Sequence, residues 1–178
     1  MVFLHRTEWA GMNARFLVVL ALAAGAAVAA CSSSKTATVR TRNGAATVTT
    51  SQNGENVTVQ TSEGTTSLGS HVDLSKLGVT VYPGAQADAQ GTITTQEAKG
   101  TSVVAAFKTA DSFDKVYEYY KGRLPAGSER MKVISGNGSV ASFQIGSAKA
   151  PDEVTVQVSS DKPNETDILI THVVRAQR

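Results

Sequence analysis

Residues 91–124 read GTITTQEAKGTSVVAAFKTADSFDKVYEYYKGRL, and the period of their apolar positions changes partway along. In TSVVAAFK, Val103, Ala105 and Phe107 alternate, so they share one face of a strand. Paired with GTITTQEA across Lys99-Gly100, this segment predicts a hairpin. After Asp111 the period becomes helical: Phe113, Val116, Tyr117, Tyr120 and Leu124 fall at i, i+3, i+4, i+7 and i+11. Asp111 is the expected N-cap, Asp114 complements the positive end of the helix, and Pro125 ends it.

The strand signals continue downstream. ERMKVIS (129–135) and SVASFQIG (139–146) flank Gly136-Asn137-Gly138, with Ala141, Phe143 and Ile145 alternating inward. EVTVQVSS (153–160) and ETDILITHVV (165–174) flank the turn DKPN, with Val154, Val156 and Val158 on one side. The last segment is apolar at successive positions, which places it centrally or under cover on both faces. The order β-β-α-β-β-β-β predicts an α+β fold over 91–178: an antiparallel sheet of about six strands with one amphipathic helix packed on a face, preceded by a small polar β-meander.

That meander is expected over 36–70. Asn43-Gly44, Asn53-Gly54 and Glu63-Gly64 recur every ten residues, and Asn-Gly suits tight hairpin turns. Between them lie Thr- and Val-rich segments whose large aliphatics are only Val39, Val48, Val57, Val59 and Leu68. So thin an apolar complement reads as a polar stalk, or as a strand-addition surface. Residues 71–90 form a connector, in which Asp73 caps a single turn closed by Gly78.

The N-terminus carries a different signal. Phe16–Ala30 is an uncharged run of 15 residues behind Arg15, bulky first and then rich in alanine. A bilayer span needs about 20 apolar residues, so the run fits a signal peptide over 1–30, with Met12 the expected start. It ends at Cys31, the only cysteine, which rules out an internal disulfide. Val28-Ala29-Ala30-Cys31 resembles the lipobox of bacterial lipoproteins, with Val28 where leucine is commoner. The resemblance implies cleavage between Ala30 and Cys31, a diacylglyceryl group on the Cys31 sulfur, and a lipidated tether at 31–35 anchored to the membrane. It implies a cell-envelope location, and outer-membrane sorting in a cell with two membranes, because Ser32 is not aspartate.

A second resemblance lies in LGVTVYPGA (77–85) and FKTADSFDKVYEYYKGRLP (107–125). Both look like small bacterial lipoproteins of unassigned function that carry a Tyr-Pro-Gly-Ala turn ahead of one α+β domain. The likeness spans roughly residues 70–175 and implies no activity.

Chemistry is sparse. Without residues 1–30 the chain loses Arg6, Arg15 and Glu8, which leaves 15 basic and 14 acidic residues. With a net charge of +1, and Lys35, Arg40 and Arg42 the only basic cluster near the anchor, no nucleic-acid partner is expected. His71 and His172 lack an accompanying carboxylate cluster, so no metal or other cofactor is expected. Ser135-Gly136-Asn137-Gly138-Ser139 lacks the lysine and following helix of a phosphate loop and reads as a turn. No Gly-x-Ser-x-Gly elbow occurs, and no catalytic residues are assigned. Tyr119, beside the core face of the helix, is the candidate partner surface for an envelope protein or glycan. The chain thus reads as a non-enzymatic, lipid-anchored structural or interaction module. A small-ligand binder is the alternative, and a hydrolase the remotest.

Overall fold

The computed structural model describes residues 34–177, apart from positions 42, 43, 53 and 163. Ala30, Cys31 and the signal segment lie outside the described residues. The strands are β1 (Lys35–Thr41), β2 (Gly44–Thr50), β3 (Asn56–Gln60), β4 (Gly64–Gly69), β5 (Gln86–Glu97) and β6 (Gly100–Thr109), then β7 (Glu129–Ser135), β8 (Gly138–Gly146), β9 (Asp152–Lys162) and β10 (Glu165–Arg175). A 3-10 turn (Leu74–Lys76) lies in the connector, and helix α1 (Phe113–Arg123) follows β6.

All ten strands join one antiparallel sheet in the order β1-β2-β3-β4-β5-β6-β10-β9-β8-β7. This overturns the expected α+β fold of about six strands behind a separate meander. The meander strands belong to the same sheet, because β4 pairs with β5 from Gly64↔Glu97 to Gly69↔Thr92. One 11-residue helix is a minor element beside it. Local alternation reveals each strand but not its partner, and an unpaired strand edge leaves a row of backbone donors and acceptors to satisfy. β5 begins at Gln86, earlier than the hairpin pattern at 91 suggested, and its register breaks between Ala87 and Thr92. Gly91 sits in that break at φ +67°, and a Cβ there would meet Gly69 O at 1.8 Å. Only glycine permits that approach.

β10 lies between β6 and β9, as its apolar run predicts for a central strand. Ile168 and Ile170 are buried against Phe107, Ala105, Val156 and Val158 on one face. Helix α1 covers that face with Phe113, Val116, Tyr117 and Tyr120. Each such buried side chain contributes about 1.5–3 kcal/mol. The other face of β10 is uncovered, and Leu169 there is 39% exposed.

The helix start differs from expectation. Ser112 occupies the N-cap position without a side-chain cap bond. The Asp111 carboxylate turns instead to Lys115 Nζ (2.9 Å) and the Tyr82 hydroxyl (2.8 Å). A lysine one turn along and a phenol from the connector outcompete the backbone amides for it. Thr166, fully buried, donates to Asp111 O at 2.7 Å and ties the same corner to β10. The cap of the 3-10 turn is as predicted, with Ser75 N donating to Asp73 Oδ1 at 3.2 Å.

Candidate functional site

Register assigns the paired side chains of β1–β4 and of β5 from Thr92 onward to one of two faces. The helix-side face carries a polar ladder: Thr36↔Thr49, Thr49↔Thr58, Thr58↔Ser67 and Ser67↔Thr94. Thr36 and Thr49 hydroxyls lie 3.3 Å apart, as do those of Thr58 and Ser67. The opposite face carries the aliphatics. Val57↔Leu68, Leu68↔Ile93 and Ile93↔Val104 form a cross-strand row, with Val48↔Val59 beside it.

This helix-free face gathers most of the exposed large aliphatics among the described residues. Leu68 is 39% exposed, Ile93 41%, Leu169 39%, Met131 45% and Val133 50%, and strand alternation puts all five on it. Ser142 and Gln157 divide Met131 from Leu169, since the row runs Met131↔Ser142↔Gln157↔Leu169. Charges bound the patch on two sides. Lys108 Nζ lies 3.3 Å from Asp88 and 3.8 Å from Asp167 at one end. Arg175 lies 2.7 Å from Glu153 at the other. That guanidinium, with the Gln144 amide, holds the Glu153 carboxyl below its usual range. An apolar centre inside a polar rim is the anatomy of a protein-docking surface.

Tyr119 is partly buried. Its ring meets Tyr82 edge-on at 5.1 Å and Tyr120 at 5.2 Å, and the Arg123 guanidinium lies 4.8 Å above it. Its hydroxyl donates to Val81 O at 3.4 Å. The tyrosine cluster therefore docks the connector on α1. Beneath it, burial pushes the Tyr120 hydroxyl well above the usual phenol range.

His172 sits on β10 between two acceptors. Its Nδ1 lies 2.7 Å from Lys76 O and its Nε2 2.6 Å from Asp152 Oδ1. The two contacts engage both ring nitrogens. Neither ring nitrogen is left to serve a nucleophile as base. His71 lies on the same connector, at the mouth of a cleft over β3–β6. Among the described residues no group of three or more His, Cys, Asp or Glu side chains is placed to hold a metal. The 135–139 segment is the predicted hairpin turn, with Ser135 Oγ donating to Gly138 O at 2.9 Å. No helix among the described residues is long and apolar enough to cross a membrane.

The exposed apolar face and the connector cleft both escaped sequence reasoning. Alternating valines were visible in each segment, but nothing local says whether they turn toward the helix or away from it. Comparison of the chain with protein-family models, with curated proteins and with solved structures found no match in any of the three.

Proposed function

We propose that the chain is a lipid-anchored cell-envelope protein that docks another envelope protein on the helix-free face of its sheet. The observation that carries the docking is the gathering of Leu68, Ile93, Leu169, Met131 and Val133, all exposed, on one face. A sheet face of that composition is ordinarily covered by a second layer. The anchor rests on the lipobox-like Val28-Ala29-Ala30-Cys31. Cys31 precedes β1 by four residues, so at most about 14 Å of chain separates the lipid attachment from that edge. β7 forms the opposite edge, about 43 Å away at ~4.8 Å per strand spacing.

Two measurements test this. Intact mass of the membrane fraction should match residues 31–178 plus acyl chains, and Cys31→Ser should release the protein; an unacylated mass or unchanged retention sinks the anchor. A photo-crosslinking residue at Leu68 or Ile93 should give a discrete protein adduct in cells, and one at Thr58 on the helix-side face should not. Equal adducts from both faces, or none from Ile93, sink the docking face.

A further inference from the structure

The sheet has two edges, β1 and β7, each seven residues long. An edge strand turns every other N–H and C=O outward, and a further strand can pair with that row. The two edges differ in what stands at their middle. The middle of β7 is Lys132, whose ammonium lies 3.6 Å from the centre of the Tyr117 ring. The middle of β1 is Thr38, between Ala37 and Val39, and the charges of this strand, Lys35 and Arg40, stand toward its ends. A central lysine guards an edge against pairing with another edge, and β1 has none. Residues 35–38 are exposed, and α1 packs on β8, β9 and β10, away from this edge.

β1 also matches itself. A twofold axis normal to the sheet at Thr38 sets two copies of β1 antiparallel with all seven residues paired. Thr38 then meets Thr38, Ala37 meets Val39, Thr36 meets Arg40 and Lys35 meets Thr41. No like charges stand opposite each other. Each face also meets its own kind. The hydroxyls of Thr47 and Thr38, 3.5 Å apart, lead to Thr38 of the second copy. On the other face Val59, Val48 and Ala37 lead to its Val39. The same operation at β7 sets Lys132 against Lys132, and like charges directly opposite are unfavourable. Full pairing of β1 with the β7 of a further copy sets Arg40 against Arg130, which disfavours an open-ended row of sheets.

We propose that β1 is a self-association edge: two copies of this chain pair β1 to β1 about Thr38 and join their sheets into one. The proposal rests on the lipid anchor proposed above and not on the docking face. A seven-residue ladder is small beside the ~1,600 Å² of a standard stable interface, so confinement to one bilayer supplies the effective concentration. The two chains leave the seam toward Cys31 at opposite ends, about 20 Å apart. Tethers of up to about 14 Å let both reach one membrane surface.

The test is disulfide trapping in cell membranes, on the full chain with one cysteine added. Cys31 is the only native cysteine, so once it is acylated the added thiol is the only free one. After mild oxidation, Thr38→Cys should give a disulfide dimer of twice the monomer mass. Ala37→Cys and Val39→Cys expressed together should give far more dimer than either alone, which reads the register. Thr38→Lys added to that pair should cut the dimer about fivefold, because it copies the guard of β7. Val133→Cys, on the other edge, should stay monomeric. No dimer from Thr38→Cys, an equal yield from Val133→Cys, or an adduct with a different protein would overturn the proposal, the last by assigning the edge to a foreign strand. The parent chain under the same oxidation reads the anchor separately, because a disulfide through Cys31 would show a free thiol there and sink the acylated anchor. A Thr38→Cys dimer in a Cys31→Ser background would then uphold the edge, and its absence would overturn it.

Discussion

The Tyr120 hydroxyl accepts a hydrogen bond from the Tyr82 backbone N–H at 3.1 Å, across 38 positions of chain. This bond fastens the connector to the buried side of α1. Tyr120→Phe keeps the ring but strands a part-buried amide. The expected cost is about 1–3 kcal/mol, or about 2–4 °C of Tm per kcal/mol. Thermal unfolding of the variant checks it, and an unchanged Tm would mean that the amide finds another partner.

His172 fastens the other end of the connector. His172→Phe removes the bonds to Lys76 O and Asp152 together. Hydrogen exchange should accelerate at the Lys76 and Leu77 amides, which close the 3-10 turn onto Asp73 O and Leu74 O. Asp152→Asn should cost less, under about 1 kcal/mol, because the Asp152 side chain is 67% exposed and solvent screens its partner.

Gly91 decides whether β1–β4 belong to the rest of the sheet. Gly91→Ala forces a side chain into a left-handed backbone and against Gly69 O. Pairing between β4 and β5 should break, at a cost of more than about 1 kcal/mol. Amide protection should fall across β1–β4 while β8–β10 stay protected. Uniform loss across all ten strands would instead mean that the sheet unfolds as one unit.

Acid should weaken the β8–β9–β10 corner. Arg175, and after it Gln144, lower the Glu153 carboxyl below its ordinary value of 4.5. A lowered folded-state value means stability that is fully present above the ordinary value and lost as pH falls through the folded one. Glu153→Gln should therefore flatten the acid limb of a stability–pH curve while it lowers the plateau at neutral pH. A variant whose acid limb parallels that of the parent would assign the acid sensitivity to other carboxyls.

Much of this architecture is legible locally. Phe113, Val116, Tyr117 and Tyr120 announce the helix and its buried face, and all four are buried. The hairpins at 98–99 and 136–137 stand where their turn residues place them, whereas β9 runs on through Asp161 and Lys162 of the expected DKPN turn. The Asp111 cap misled, because a carboxylate near a helix start scores the same whether it faces backbone amides or a lysine and a distant tyrosine. Nothing in the connector cleft was legible. Asn56, Gly69 and Thr92 are spread over 37 positions and meet only through strand register.

The strand and helix segments, the buried face of α1 and the apolar segment before Cys31 are all written in local sequence. These follow from periodicity, capping and hydrophobic length, which act over a few residues. The sharing of one sheet by the meander and the rest, the turning of its valines away from the helix, and the burial of Thr92 without a partner arise only when the strands assemble. Each of those depends on which strands pair and in what register. Pairing is a contest among all available edges, settled by backbone hydrogen bonds and by the burial of whole faces, and no local pattern encodes its outcome.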